Sequence, residues 1–588
     1  MATVTNIALE KSLLDEINTE VPKAVLERFS TLIRESGSED ERIAADFLTN
    51  YLQEWGVPHK VHHPELYLSI PKKAYLKITA PFEKEIRVKT PSFSIATGDV
   101  SVSGELVYIS TGYAKGINDI FGTAVDGDLG NLQGKIVLTE GYAMPGKVRE
   151  FAEKGVNAMI FINPGRNIHE GICTPIWGAP DLDNMNNEPT IPVLAINKID
   201  GDELKALIEK ESITIEFKTF LEKDWMKCPV IDIFIEGTEE PEKYVLLHGH
   251  LDSWHEGIGD NATGNAALLE MARIFYKNRD KLKRSVRIAV WTGHSTGRYA
   301  GSSWFVDEFG LDLDKNCIAQ VNCDSPGCRW ATSYEYMMWM SEVDEFCTDV
   351  IKDAVNLPSK GSRPLRAGDY SFNNIGITSF FMLSSSIPEE LLKEKGYYPV
   401  GGCGANIEWH TEEDLMHVAD LDILVKDIKV YITGVLRAVN SSIHPFNFVK
   451  TTEEFDNTIK SYQAAAGINF DFTLALNEVS ALREDLLAFY EKANALKGLE
   501  ISNPQVKQAN VIIEKLARIL VPINFTKRGK FWHDPALNVP ALPDIAPALN
   551  FKQVQEGSHE YKVLKTHLTR GQNRVIWALQ QARELLSQ

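Results

Sequence analysis

"YVLLHGHLDSWHEGIGDNATGNAALLEMARIFYKN", Tyr244 to Asn278, sets out the fold in miniature. It opens with a short apolar run that ends in two histidines, the texture of a buried strand. It closes with apolar residues at i, i+3 and i+4, the spacing of a helix packed on one face. A glycine-rich loop joins the two. Three more runs have the same buried-strand character: "VIDIFIEG" from Val230, "VRIAVWTG" from Val286 and "CIAQVNCD" from Cys317. Strands alternating with helices predict an α/β fold, a mixed or mostly parallel sheet covered by helices.

On the N-terminal side the texture differs. From about Lys72 to Lys218, short β-branched runs alternate with Gly, Pro and Asn turns. These are "AYLKITA", "GELVYIS", "GKIVLTE", "NAMIFIN" and "IPVLAIN", with one helix, "GKVREFAEKG", among them. This is a separate β-rich module. In front of it, "SGSEDERIAADFLTNYLQEWG" has a Ser/Glu start and a Gly stop, which predicts a capped helix. "MATVTNIALEKSLLDEINTEVPKAVLERF" reads as an amphipathic helix, with no continuous apolar core for a signal peptide. After about Asn440 the strands stop. "NEVSALREDLLAFYEKANAL", "NPQVKQANVIIEKLARIL" and "GQNRVIWALQQARELLSQ" are amphipathic helices.

Composition narrows the function. The chain has 588 residues, too many for one core, and a formal net charge of −20, with 81 acidic against 61 basic residues. That balance argues against nucleic acid, which is bound by neutralising phosphates with Lys and Arg. It argues equally against anionic lipid. No stretch approaches the roughly 18 apolar residues of a membrane span. Cys173, Cys228, Cys317, Cys323, Cys328, Cys347 and Cys403 are odd in number and form no CxxC pair. They read as the reduced thiols of a cytoplasmic protein.

The chemistry lies at the strand ends, where α/β sheets gather ligands. The first strand ends in His250-Leu251-Asp252, an HxD pair that can place an imidazole on a metal with the Asp orienting it. Asp260 follows eight residues after Asp252 and could bridge two metals. Asp324 closes "CIAQVNCD", and His410 stands in "IEWHTEED". Taken singly, Asp260 reads as a helix cap, Asp324 as a turn cap with Pro326 and Gly327, and His410 as a surface histidine. Their order and shared placement favour the metal reading. Two His and two Asp suit Zn²⁺ or another divalent transition metal. The chain has no GxSxG elbow, no Cys-His nucleophile pair and no HEXXH motif.

"HGHLDSWHEGIGDNATG", "WTGHSTGRYAGS", "NCDSPG" and "EWHTEED" together resemble the co-catalytic zinc aminopeptidases and glutamate carboxypeptidases. The likeness is greatest to the branch that holds glutamate carboxypeptidase and the transferrin receptor. It implies a catalytic domain of residues 1–70 and 229–440, a protease-associated insertion at 71–228, and a helical dimerisation domain at 441–588 that pairs two chains into a homodimer. It implies that His250, Asp260 and Asp324 hold one zinc. Asp260 then bridges to a second zinc that also uses His410, and Asp252 orients His250.

"WTGHSTGRYAGSSWF", Trp291 to Phe305, departs from that family. Where the family has Glu-Glu, a general base followed by a ligand to the second zinc, this chain has His294-Ser295. A neutral Ser is a poor zinc ligand. A neutral His, with a reference pKa of about 6.5, can carry a proton near pH 7. His294 is therefore a proton shuttle or a replacement ligand, but cannot be both through one nitrogen. Arg298 and Tyr299 should border the same cleft, Arg298 as a clamp for a substrate carboxylate. Glu256 and His255 lie close in sequence, and Glu256 is a candidate replacement base. "RPLRAGDYSF" brings Arg363, Arg366, Asp369 and Tyr370 to the family's substrate side, where arginines suit an anionic substrate. The expected function is metal-dependent hydrolysis of an amide-type bond in a small or short peptide-like substrate that carries a carboxylate. A non-catalytic binding protein and a metal-dependent lyase or cyclic-amide-opening enzyme are the competing readings.

Overall fold

The computed structural model describes residues 6–120 and 131–587. The N-terminal amphipathic reading begins at Met1, and residues 1–5 lie outside the described residues. The rest of that stretch forms two helices, Ile7–Leu14 and Glu20–Phe29, in place of one. The break falls where the Asn18 amide donates to Glu270 Oε1 at 3.0 Å and the Asn18 side chain accepts from the Glu20 amide. A tertiary partner thus outcompetes continuation of the helix.

A six-stranded sheet forms the central layer, in the order His59–His62, Val230–Ile235, Arg284–Trp291, Glu240–His250, Cys317–Asn322 and Thr378–Ser379. The last four run parallel, and the first two pair antiparallel at one edge. The sheet is therefore mixed. Arg284–Trp291 and Cys317–Asn322 are buried at every position, as expected of strands covered on both faces. In register, His250 stands opposite Trp291 and His248 opposite Asn322. Three parallel strands thus end side by side, and the residues just beyond them share one rim. Helix Thr263–Lys277 covers one face with an almost fully buried surface. Helix Glu39–Trp55 is capped at Ser38, whose side chain accepts from the Glu41 amide, and stops at Gly56 in the left-handed region.

After His62 the chain leaves this sheet and returns at Val230. In between, a seven-stranded sheet runs in the order Lys84–Ile86, Glu65–Ala80, Ile213–Lys227, Val102–Tyr108, Ile136–Glu140, Ala158–Ile162 and Val193–Ile196. Its backbone is the long antiparallel pair of Glu65–Ala80 with Ile213–Lys227. Helix Pro145–Glu153 joins two of its parallel strands. The C-terminal part is helical: Phe448–Ala466, Thr473–Ala495, Pro504–Phe525 and His559–Leu586. These helices share one continuous apolar core with the six-stranded sheet. Among the described residues, no helix is long and apolar enough to cross a membrane. All seven cysteines are buried and unpaired.

Candidate metal centre

His250 is fixed by its own strand end. Its Nδ1 donates to the main-chain oxygen of Asp252 at 2.8 Å, which leaves Nε2 to face the rim. That Nε2 lies 3.0 Å from Asp260 Oδ1 and 3.7 Å from Asp324 Oδ2. The other Asp260 oxygen lies 3.2 Å from His410 Nε2, so one carboxylate sits between two imidazoles. His410 Nδ1 in turn donates to the main-chain oxygen of Glu170 at 3.1 Å. The four residues are buried: His250 0%, Asp324 5%, Asp260 7% and His410 8% exposed.

The loop bearing Asp260 is held from several directions. The Asp414 carboxylate accepts from the amides of Gly259 at 2.7 Å and Asp260 at 3.0 Å. Asn261 Oδ1 accepts from the amides of Gly264 and Ser325, tying this loop to the one after Asp324. Gly257 has φ +52°, and a Cβ there would fall 2.5 Å from the Asp260 oxygen. Only glycine allows that turn.

Asp252 meets His250 chiefly through its main chain. Its carboxylate stands 3.7 Å from His250 Nδ1, while its main-chain oxygen makes the contact. The carboxylate is engaged elsewhere, accepting from Ser36 Oγ at 2.8 Å, the Ser295 amide at 2.9 Å and the His294 amide at 3.3 Å. Asp252 therefore orients His250 through its backbone and pins the His294-Ser295 turn through its side chain.

That turn brings the His294 ring onto His250, stacked at 3.8 Å and 12°. His294 Nδ1 lies 2.7 Å from Asp369 Oδ2, and Ser302 Oγ donates to Asp369 Oδ1 at 2.8 Å. Ligand-type atoms of His250, His294 and Asp324 all lie within 4.8 Å of one another. Sequence reasoning placed Asp369 on the substrate side but missed this partnership. The only signal was its position in "RAGDYSF". Ser295 is buried and offers its amide to Asp252, so no carboxylate replaces the family's second Glu at that position.

Arg298 is 4% exposed, lines the cleft beside His294, and its Nε has no hydrogen-bond partner among the described residues. Tyr299 packs against Trp177 at 4.2 Å and presents its ring to His294 at 5.0 Å. The other expected arginines do not reach the cleft with free heads. Arg363 pairs with Glu454 at 2.9 Å. Arg366 donates to the main-chain oxygens of Asp534 and Tyr370 and stacks on Trp177. The helical region packs over that loop and consumes both guanidinium groups. Glu256 does not line the cleft, and its main-chain oxygen accepts from Arg34. The carboxylate that reaches the rim is Glu170, from the inserted module, paired with Lys89 at 2.8 Å and with His255 Nε2 at 3.1 Å.

The charges interlock. Burial opposes ionisation of Asp260, yet His250 and His410 hold its carboxyl well below the usual range. Burial and the Asp260 charge push Asp324 up. Burial lowers His250, but hydrogen bonding and the carboxylates around it outweigh that and hold it well above its ordinary value. Burial would raise Asp369, but His294 brings it down to about 2. Two atoms of the cluster, His250 Nε2 and Asp260 Oδ1, are buried 3.0 Å apart with no well-aligned hydrogen bond, and both are candidate ligand atoms. Imidazole nitrogens and carboxylate oxygens, buried and convergent, fit Zn²⁺ or a related divalent ion.

Comparison with known proteins agrees. Residues 233–432 match Peptidase family M28, and residues 102–204 match the PA domain. "Probable glutamate carboxypeptidase AMP1" of Arabidopsis thaliana is 24% identical over 368 residues, 56% of this chain and 49% of that protein. Transferrin receptor protein 1 of Gallus gallus is 24% identical over 313 residues, 45% of this chain and 39% of that protein. The chain thus spans less than half the length of these curated relatives. The structure of BSAP, a zinc aminopeptidase from Bacillus subtilis, superposes with a TM-score of 0.52 at 20% identity, covering 71% of this chain and 95% of that one. The chain carries a domain of peptidase family M28 at residues 233–432, with a PA domain ahead of it at residues 102–204.

Proposed function

We propose that this protein is a metal-dependent hydrolase of an amide-type bond in a small substrate bearing a carboxylate. His294 handles the proton in place of the family's glutamate. The observation that carries this reading is the meeting of His250, Asp260, Asp324 and His410, with His294 stacked on His250.

His250, Asp260 and Asp324 would hold one divalent ion, zinc in the first instance, and His410 lies across Asp260 for a second. Such an ion, when bound, supplies Lewis acidity and lowers the pKa of water. The chain's own residues do the rest. Asp369 accepts a hydrogen bond from the Nδ1–H of His294, which fixes the tautomer and leaves a basic Nε2 lone pair towards the cleft. From there His294 can take a proton from the attacking water and return it to the leaving nitrogen. Arg298, buried and without a partner for Nε, is placed to clamp the substrate carboxylate. Tyr299 lines the cleft on one side, with Trp177 packed behind it. The reading includes a homodimer through the C-terminal helices and a cytoplasmic location, with which seven buried, unpaired thiols agree.

The test is metal analysis of protein reconstituted with zinc, manganese or nickel, alongside amide turnover, in wild type and in His294→Ala. We expect bound metal in both proteins and turnover only in wild type. Loss of metal in the variant would make His294 a ligand. No metal in the wild type would favour a binding protein. Metal without amide hydrolysis, but with ring opening or elimination, would favour the lyase-type reading.

A further inference from the structure

The cleft at the metal centre has room for only about 50 Å³, enough for the atoms around a scissile bond and little more. A second cavity of about 450 Å³ opens beside it, the size of a small-molecule site. Ile117, Leu383 and Gly402 line both spaces, and Ser325, the neighbour of Asp324, forms part of the larger wall. The larger wall includes neither Arg298 nor His294.

The chamber wall is mostly apolar, with Ser325, Ser384, Ser385 and Ser386 as its uncharged polar part. Leu383, Ile387, Leu392, Tyr397, Tyr398 and Val400 supply its aliphatic and aromatic surface. Three exposed charged residues stand on its lining: Lys393 and Glu389 pair with each other, and Lys115 is the third. The wall is also held in place. His169 Nδ1 donates to the Trp409 oxygen at 2.6 Å, so His169 Nε2 accepts from the Tyr398 hydroxyl at 3.0 Å. Trp409 stacks on His410 at 3.8 Å. One packed series therefore runs from the chamber wall, through the inserted module, to a candidate metal ligand.

We infer that this chamber is the subsite for an aryl or branched aliphatic arm of the substrate, an arm separate from the carboxylate held at Arg298. It rests on the hydrolase reading only in placing the scissile bond in the narrow cleft between the two. The substrate class is then an N-acyl amino acid with a bulky apolar acyl group. Burying a phenyl ring in such a wall yields a tenfold or greater gain in affinity, on the order of the transfer of its apolar area from water.

The experiment is calorimetric titration of the metal-free full chain with N-benzoylglycine and with N-acetylglycine. The benzoyl compound should bind at least tenfold more tightly. Leu392→Trp, at a half-buried wall position, should erase that advantage and leave N-acetylglycine binding unchanged. Val400→Trp is the second filling variant, with thermal unfolding as the check that each is folded. Absence of a benzoyl advantage in the wild type, whether both compounds bind alike or neither binds, overturns the proposal. So does an advantage that survives in a folded filled variant. Turnover is measured separately on zinc-loaded protein. A benzoyl preference without turnover would remove the hydrolase reading and leave the chamber standing.

Discussion

His294 and Asp369 are 75 residues apart in the chain and 2.7 Å apart in space. That contact decides which imidazole nitrogen faces the cleft. Ser302 holds the other Asp369 oxygen, so the carboxylate cannot rotate away. Its pKa of about 2 keeps it ionised across the working range, with His294 overcoming the effect of burial. Asp369→Asn should keep the packing but lose the preference for the Nδ1–H tautomer. We expect kcat to fall by roughly 10²–10⁴ with little change in KM or in metal content. Steady-state kinetics and metal analysis on the same preparation check this. A large KM change with unchanged kcat would assign Asp369 to substrate binding instead. His294 itself was legible as the departure from a familiar motif. Its choice between nitrogens was not, because that depends on a partner from a distant loop.

At the scale of elements, the turn after Arg284–Trp291 has little freedom. Helix Ala300–Asn316 begins so close beneath the strand end that a Cβ on Gly301 would fall 2.1 Å from the Thr292 oxygen. That oxygen is main chain, so the clash cannot be relieved by a rotamer. Gly301→Ala should therefore push the helix start away and drag the His294-Ser295 turn with it. We expect a loss of about 2–3 kcal/mol in stability, read by denaturant unfolding, together with loss of activity. Most strands of both sheets were readable from apolar runs and turn residues, but Lys84–Ile86, Ile213–Lys227 and Thr378–Ser379 were not. Nor was His59–His62, because three half-buried residues and the exposed Lys60 at a sheet edge carry no periodic signal. Helix Phe448–Ala466 also went unmarked.

At the scale of the molecule, the site is finished by parts outside the catalytic sheet. The inserted module contacts His410 on both sides: the Glu170 amide donates to its oxygen and the Glu170 oxygen accepts from its Nδ1. The C-terminal helices are anchored by Glu514, which meets Lys243 Nζ at 2.6 Å and His444 Nε2 at 3.0 Å. Burial would raise Glu514, but those two partners bring it down to about 2, below its unfolded value of about 4.3. Its contribution is then fully present above pH 4.3 and fades as the pH falls towards 2. It amounts to about 2–3 kcal/mol at neutral pH. Glu514→Gln should lower the unfolding midpoint at pH 7 by several degrees, and the difference from wild type should shrink below pH 4. An equal difference at pH 3 and pH 7 would show that the pair acts through shape and not charge.

By itself the sequence determined the α/β class, the β-rich insertion, the helical C-terminal part and the candidates His250, Asp260, Asp324, His410 and His294. Those follow from local periodicity and from residue types at strand ends, which a chain carries wherever it folds. Only the tertiary structure decided that the Asp252 carboxylate serves the His294 turn, that Asp369 directs His294, that Glu170 braces His410 and that Arg363 and Arg366 are consumed by packing. Each of these joins segments remote in the chain. A hydrogen bond of this kind is chosen by which donors and acceptors burial leaves facing one another, and no spacing along the sequence encodes that.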